Sequence, residues 1–440
     1  MRRLCMLIVG YILVSGCGGS GGGGKRATAT PTASGTPTVG RATNTPAGAT
    51  ATPAGPTRTA QPTDTPGGPT RTPQPTDTPG GPTRTPQPTE TPGGPTRTVT
   101  PTGTPAPTQV LFVRASFGDD QNSGTSFDQA FKTLTAATDL LKSLKAGGTV
   151  YVGRGTYKGR VTISGLAGTA SSPVVLIADT DGSHTHDAPG AVTLDGDGDT
   201  VTLLLTKSTY VTLDGFTITG AAPQDMPKLS ATAVHARSGS AHFSMRNCVI
   251  ANGNGTADGI RVEASSDALI FNDLIFANDR GIIISGDSPD ALVINNTIAD
   301  NTRTGLLLLP KSGFAPQNAT VTNNIIQMNG NDRAIEVDSG PPSAQQGYQG
   351  DFNLVFEPDA TDQTADYVPP AVSGSNDINA DAVFVNLGQG DVHLDPTSPA
   401  VDAGSGSIGS SLVTELLNRS TLADGSRDRS PVDLGYHYPR

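Results

Sequence analysis

Residues 259–301 read GIRVEASSDALIFNDLIFANDRGIIISGDSPDALVINNTIADN, and this stretch decides the fold because it holds two copies of one pattern. In each copy an asparagine is followed three positions later by an apolar residue, Asn272 by Ile275 and Asn295 by Ile298. The copies are 23 residues apart, and the first begins with a short strand of alternating apolar and polar residues, Gly259-Ile260-Arg261-Val262-Glu263. Such a pattern is typical of a stacked β solenoid, in which neighbouring coils bury each other's apolar side chains.

The pattern extends well beyond these two copies, from residue 215 to residue 356. Its leading residue recurs at spacings of 32, 25, 23, 28 and 30, at Gly215, Asn247, Asn272, Asn295, Asn323 and Asn353. A second asparagine often follows, at Asn252, Asn278, Asn301 and Asn329. Asparagine tolerates the left-handed backbone of a tight turn and can hydrogen-bond to its counterpart in the next coil, so we expect asparagine ladders at the turns. A β-propeller is the competing fold, but its blades need about 40 residues, which favours the solenoid.

The segment before the repeats predicts a strand at 110–114, a polar loop at 118–125 and an amphipathic helix at 131–145. The helix places apolar residues on one face, at Leu134, Ala137, Leu141 and Leu144. We therefore predict one all-β domain over 110–440. Within it we expect coils over 146–395 and a C-terminal cap over 396–440.

The motifs at the start of this domain follow one another in a characteristic order. They are Gly118-Asp119, Phe131-Lys132-Thr133-Leu134, Gly148-Thr149-Val150-Tyr151-Val152, Gly155-Thr156-Tyr157 and Tyr210-Val211-Thr212-Leu213-Asp214-Gly215-Phe216. This order resembles the start of right-handed parallel β-helix proteins of the pectate-lyase-like superfamily. The resemblance implies a right-handed parallel β-helix whose N-terminal end is capped by the one helix. The C-terminus, with Leu394-Asp395-Pro396 and Val432-Asp433-Leu434-Gly435-Tyr436, resembles the choice-of-anchor tail of bacterial surface β-helix proteins.

Residues 1–16 have the parts of a secretory signal peptide: two arginines, an apolar run of about 11 residues and small residues. The run is too short to span a bilayer as a helix, which needs about 20 residues. Val14-Ser15-Gly16-Cys17 resembles the bacterial lipobox, which implies that Cys17 is lipidated; the alternative is an ordinary cleavage site beside a chance cysteine. Gly18 in place of Asp favours, by the same resemblance, the outer membrane or cell surface. We expect membrane attachment through this lipid alone.

Residues 17–109 predict a disordered linker that follows the lipidated cysteine. A glycine run comes first, and then a Thr/Pro-rich stretch in which 19 of the 35 prolines fall between residues 31 and 107. A 13-residue repeat is marked by Arg58, Arg71, Arg84 and Arg97. The repeat has no apolar face to bury, and its prolines favour extended polyproline II segments. This stretch therefore predicts a tether that holds the domain away from the membrane.

The charge and the aromatic content limit the partners of the domain. Residues 110–440 hold 20 of the 29 Lys and Arg and 37 of the 40 Asp and Glu, a formal net charge of −17. Such acidity repels nucleic acid and other polyanions unless cations intervene, so we expect no nucleic-acid partner. The chain has no tryptophan and 8 tyrosines, which weakens the ring stacking used for neutral sugars. Cys248 is predicted to be a small buried side chain without a disulfide, and we expect a monomer.

Strand alternation predicts one charged patch on the outside of the solenoid. The second and fourth residues of each unit-opening strand should face solvent. Aligning these strands across neighbouring coils brings together His235, Arg237, Asp258, Arg261, Glu263 and Arg280. Further along the same face Ile283, Leu307 and Leu309 are apolar and suit the docking of a loop or a partner.

The resemblance to pectate-lyase-like enzymes implies calcium-assisted β-elimination on an acidic polysaccharide at this patch. Arg237, Arg261 or Arg280 would be the base and His235 the acid, with Asp258 and Glu263 helping to hold calcium. Arginine is a poor base unless its surroundings are unusual. The alternative for the patch is an ion-pair ladder without catalysis. The function hypotheses are therefore a surface lipoprotein that binds acidic polysaccharide, with or without cleaving it, and a non-catalytic adhesin or structural module.

Two loops are further candidates for metal binding. Asp195, Asp197 and Asp199 alternate with glycines as in a calcium loop, but the twelfth position is Thr206, so the loop is not an EF-hand. The alternative is a turn between strands. A second loop holds His184, His186 and Asp187, which could form a metal cluster or a solvent-exposed turn.

Overall fold

The computed structural model describes residues 108–224, 231–252, 255–328, 333–338, 347–358 and 366–440. The predicted signal peptide, Cys17 and almost all of the linker lie outside the described residues, as does Asn329. Among the residues that are described, no helix has the length and apolarity needed to cross a membrane.

The chain winds through three parallel β-sheets in turn, which we call the first, second and third faces. The first face holds β1 (Gln109–Val113), β2 (Gly148–Gly153), β5 (Val174–Asp179), β8 (Val211–Asp214), β11 (Ser244–Arg246), β14 (Leu269–Phe271), β17 (Leu292–Ile294), β20 (Ala319–Thr322) and β23 (Tyr348–Asp351). The second face holds β3 (Gly155–Lys158), β6 (Val192–Asp195), β9 (Thr217–Thr219), β12 (Val249–Ile250), β15 (Leu274–Phe276), β18 (Thr297–Ala299), β21 (Ile325–Gln327) and β24 (Leu354–Phe356). The third face holds β4 (Val161–Ser164), β7 (Val201–Thr206), β10 (Ala231–Arg237), β13 (Ala257–Glu263), β16 (Arg280–Ser285), β19 (Thr304–Leu309), β22 (Arg333–Val337) and β25 (Tyr367–Val368). The predicted right-handed parallel β-helix is confirmed.

The core is a column of apolar side chains that point inward from the three faces. On the first face one inward row passes through successive strands, with every member fully buried: Val150, Leu176, Leu213, Met245, Ile270, Val293 and Val321. Each such side chain contributes about 1.5–3 kcal/mol when it is removed from water. Because a coil alone leaves these side chains open above and below, stability comes from stacking.

The helix α1 (Leu134–Leu144) packs against β1 and β4 at the N-terminal end of the column. The Thr133 side chain accepts a hydrogen bond from the backbone N–H of Ala136 and so caps its first turn. Lys145, with φ of 50°, ends the helix in the left-handed region. The predicted capping helix is therefore present, and its buried face includes Leu134 and Leu141.

Asparagine ladders form at the corner between the first and second faces. The residue in the left-handed conformation there is Gly215, Asn247, Asn272, Asn295 or Asn323, as the repeat predicts. The side chains of Asp273, Asn296, Asn324 and Asn353 point inward, and each accepts a hydrogen bond at 2.7–3.1 Å from the backbone N–H of the equivalent residue in the previous coil. This ladder begins with the backbone N–H of Cys248. Asn353 therefore belongs to this row of inward-pointing side chains. Phe352, one residue earlier, takes the left-handed position that the repeat assigns to Asn353.

The other two corners carry ladders of their own. Between the second and third faces Asn252, Asn278 and Asn301 bond in series, at 2.8 and 3.1 Å between side chains. Between the third and first faces a serine ladder forms, in which the backbone N–H of Ser240 donates to Ser265 and that of Ser265 to Ser288, at 3.1 and 3.2 Å. The asparagine periodicity does not reveal this serine ladder.

Residues 379–440 run along the outside of the column. They include a hairpin of β26 (Phe384–Asn386) and β27 (Asp391–Leu394) and the short helix α2 (Ser410–Leu416). Leu416 and Val432 pack on the outward side of the first face, and Tyr436 packs on the second face. We call residues 379–440 the lateral tail.

The lateral tail includes residues 396–440, for which the sequence predicts a C-terminal cap, and residues 379–395, for which it predicts the last part of the coils. At that end of the column the last coil is instead supplied by 366–378, where Ala371 joins the main core and Ile378 pairs with Leu354. The reason for the difference is that residues 396–440 find apolar partners on the outward sides of the first two faces.

Candidate functional site

The third face brings the six residues of the predicted patch together. His235 lies beside Arg261 and Arg237 beside Glu263 in the register between β10 and β13. Arg280 begins β16, the next strand on this face, and Asp258 lies within reach of it. The strand alignment made from the sequence therefore holds across three coils.

Asp258 is the centre of the patch, with a side chain that is fully buried. One carboxylate oxygen accepts a hydrogen bond from Arg261 at 2.8 Å and the other accepts one from Arg280 at 3.1 Å. A buried carboxylate is tolerated only when it is paired in this way. Asp258 therefore fixes two guanidinium groups side by side on the outward surface of the sheet.

Glu263 forms a second ion-paired centre in the patch. It accepts a hydrogen bond from Lys311 at 2.7 Å, and His235 Nε2 lies 3.4 Å from the same carboxylate oxygen. Burial lowers the pKa of His235 to about 4, although the Glu263 carboxylate acts in the opposite direction. His235 is thus neutral at pH 7. Lys311 holds the pKa of Glu263 below its usual value despite partial burial, so Glu263 carries its charge.

These contacts bear on the chemistry that the resemblance implies. Arg261 and Arg280 donate hydrogen bonds to Asp258, whereas a general base must accept a proton, and a guanidinium group has donors but no acceptor. A neutral His235 has no readily released proton to give a leaving oxygen. The carboxylates of Asp258 and Glu263 are already bonded to cations. This geometry favours the ion-pair ladder over the calcium-assisted elimination site.

Three charged residues that the strand alignment does not single out complete the patch. Lys311 reaches Glu263 from the loop after β19, and Asp279, just before β16, pairs with Arg303 at 3.1 Å. None of the three stands at a position that the strand alignment compares, so alternation along the strands does not identify them. The sequence could have indicated Asp279, because it directly precedes Arg280, a residue that the alignment includes.

The apolar continuation of this face is not an open surface. Ile283 and Leu307 follow Arg261 in the outward row of β16 and β19, and both are buried. Leu309 is half-buried. Ile283 and Leu307 therefore offer little exposed apolar surface for docking a loop or a partner.

The candidate metal loops do not gather their ligands. Asp197 is exposed and pairs with Lys158 at 3.2 Å, and Asp195 accepts the backbone N–H of Asp197. Asp199 accepts the backbone N–H of Arg160 at 3.1 Å. Across the described ranges, three ligating groups meet only at one place, formed by Asp402, Asp428 and Asp433 in the lateral tail.

The loop with His184 and His186 is held in place by ring stacking on two aromatic residues. His184 stacks on Tyr151 with ring centroids 3.8 Å apart, and His186 stacks on Phe127 at 4.0 Å. Asp187 bonds to Arg114 at 2.6 Å. The three predicted metal candidates in this loop thus have separate partners, and their arrangement fastens the loop.

The comparisons with known proteins agree with the fold. Residues 192–344 match a family model described as a right-handed β-helix region. No curated protein matches the chain. Among solved structures, pectate lyase Pel9A is 15% identical with a TM-score of 0.41, and the match covers 76% of this chain and 98% of that chain.

Two further solved structures are similar at the same level. An alginate lyase from Paenibacillus sp. str. FPU-7 is 19% identical with a TM-score of 0.40, covering 62% of this chain and 95% of that chain. A GH136 lacto-N-biosidase from Eubacterium ramulus is 15% identical with a TM-score of 0.38, covering 56% of this chain. The match spans only 55% of the lacto-N-biosidase chain. At these identities and TM-scores the matches give no information about the activity of this chain.

Proposed function

We propose that the patch on the third face binds the acidic groups of an extracellular polysaccharide and does not cleave it. One observation carries the proposal: the most exposed charged side chains of the patch are cations, while its carboxylate Glu263 is 21% exposed. Asp258 is fully buried and Asp279 is 13% exposed, whereas Arg303 and Lys311 are 57% and 42% exposed. Arg237 is also exposed. An anionic ligand therefore meets positive charge first, on a domain that is otherwise acidic.

The form of the patch suits a polymer. Its cations lie on successive coils, which stack at about 4.8 Å, so a chain with regularly spaced carboxylates could contact several of them. Guanidinium groups bind carboxylates through paired hydrogen bonds. The exposed guanidinium groups of Arg237 and Arg303 offer such donors, while Arg261 and Arg280 donate to Asp258 and are only 17% and 15% exposed. Uronate-rich polysaccharides are accordingly the class we propose.

We expect Arg237→Ala to weaken binding of the full chain to polygalacturonate or alginate by about tenfold. A hydrogen bond between charged groups is worth about 1.5–3 kcal/mol, and tenfold corresponds to the lower end of this range. Isothermal titration calorimetry at low salt measures the affinity. Arg427→Ala, which removes an exposed arginine from the lateral tail, is the matched control and should bind as the parent does.

The same titrations separate the proposal from its alternatives. Equal binding by the Arg237→Ala and parent chains would overturn the patch as the binding site. Binding that disappears with EDTA would show a calcium bridge in place of direct arginine contacts. Release of unsaturated products, followed by absorbance in the presence of calcium, would replace our proposal with the lyase hypothesis.

We also propose that the chain is a bacterial surface lipoprotein, attached through Cys17 and held off the membrane by the linker. The support is the sequence order of charged start, apolar run, lipobox-like motif and Thr/Pro-rich stretch. Several acyl chains give stable anchoring. Expression of Cys17→Ala should move the protein from the membrane fraction to the soluble fraction, and Cys5→Ala is the control. Continued sedimentation of Cys17→Ala with membranes would rule out the lipid as the anchor.

A further inference from the structure

A groove of about 430 Å³ lies on the first face, away from the charged patch. It forms where residues 405–408 of the lateral tail pass beside the outward side of β17, β20 and β23. Such a volume is within the range of small-molecule sites, about 300–1,000 Å³. The groove therefore has room for a ligand of the size of one or two sugar rings.

Three polar side chains line this groove with unused hydrogen-bonding capacity. Thr320 on β20, Gln349 on β23 and Ser407 in the lateral tail supply two hydroxyl groups and one amide. In the described part of the chain, none of these three side-chain groups has a hydrogen-bond partner. Together they offer both donors and acceptors to a ligand that carries several hydroxyl groups.

The remaining lining selects against an anion and provides an apolar contact. The one charged side chain in the lining is Asp351, whose carboxylate accepts hydrogen bonds from the backbone and side chain of Asn376 at 2.8 and 2.9 Å. Leu292, Ile294 and Ile408 form the apolar part, and Leu292 is 38% exposed. Aliphatic side chains can cover the C–H face of a sugar ring, although less strongly than an aromatic ring.

We propose that this groove is a second binding site, specific for neutral sugar residues. Free hydroxyl and amide groups beside aliphatic side chains, with a single negative charge, fit a neutral polyhydroxylated ring and disfavour a uronate. The ligand would contact both the column and the lateral tail, so its binding would stabilise their association. The site lies on a different face from the charged patch and does not depend on it.

The test is ligand-observed NMR of the full chain with five neutral disaccharides: cellobiose, maltose, xylobiose, mannobiose and β-1,4-galactobiose. We expect saturation transfer to at least one of them, with a dissociation constant in the millimolar range because no aromatic ring lines the groove. Thr320→Trp should abolish the signal by filling the groove. Gln349→Ala, which alters only an exposed side chain, should weaken binding at least threefold.

Thr212→Trp is the matched control, because Thr212 lies in the same outward row of the first face and outside the groove. It should bind the disaccharide as the parent does. The proposal is overturned when none of the five disaccharides binds, or when Thr320→Trp and Gln349→Ala both bind as the parent does. Polygalacturonate binding by the third face should be unchanged in Thr320→Trp. The disaccharide and polygalacturonate measurements therefore test the groove and the charged patch independently.

Discussion

Replacing Asn324 with alanine is expected to lower the free energy of unfolding by about 4 kcal/mol. Asn324 is fully buried and accepts hydrogen bonds from the backbone and the side chain of Asn296, at 2.9 and 3.0 Å. It donates to the carbonyls of Val293 and Thr322 and to the side chain of Asn353. Alanine leaves several of these groups buried without a partner, at about 1–3 kcal/mol for each.

Urea titration followed by circular dichroism measures this loss. Asn418→Ala is the control, because Asn418 is exposed at the end of α2 and its side chain bonds only to the carbonyl of Thr414. We expect its effect to stay within about 0.5 kcal/mol of the parent. Similar stabilities for the Asn324 and Asn418 variants would show that the ladder contributes little.

Gly281→Ala is expected to destabilise the column by about 3 kcal/mol through overpacking. A Cβ at this position would lie 2.5 Å from the carbonyl oxygen of Gly305 and 2.6 Å from Cγ2 of Ile298. Neither group has room to move, since one is backbone in the next strand and the other is a fully buried core side chain. The coils on either side would have to separate to admit the methyl group.

Gly406→Ala is the counterpart in an open position, where a Cβ meets no atom within 4 Å. Thermal unfolding of the two variants compares them directly, and we expect a lower midpoint only for Gly281→Ala. A midpoint equal to that of the parent for Gly281→Ala would mean that the coils have more freedom than the close contacts indicate.

Much of the column could be predicted because its information is local and periodic. The spacing of Asn272, Asn295 and Asn323 marks successive turns, and each takes the left-handed backbone that asparagine tolerates. At Asn353 the predicted left-handed position is one residue too late. Two repeats carry two consecutive asparagines, so the sequence does not say whether an asparagine takes the turn position or the position after it. The structure selects the inner position for Asn353 by its hydrogen bond from Asn324.

The candidate site was predictable in position but not in chemistry. Period-two alternation places His235 beside Arg261 and Arg237 beside Glu263, and the strand register agrees. Roles depend on which charges pair and how deeply they are buried, and these follow from loops such as the one that carries Lys311. A strand pattern does not contain that information.

The lateral tail was not predictable for a related reason. Its contacts join residues far apart in sequence, as when Asn272 bonds to the backbone of His437, at 2.6 and 3.0 Å. No repeat marks such pairs, and the short helix α2 has a sequence that does not stand out. The groove on the first face is formed partly by residues 405–408 of this tail, so the sequence did not reveal it either.

The path of the lateral tail also determines how the column should come apart. A stack in which each coil touches only its neighbours can unravel one coil at a time from either end. The tail bonds to four successive coils through Arg246, Asn272, Asn295 and Asn323. These coils are thereby joined into one cooperative unit, and the coils before Arg246 lie outside it. We expect hydrogen exchange to separate the domain into an early-opening N-terminal part and a later, all-or-none block.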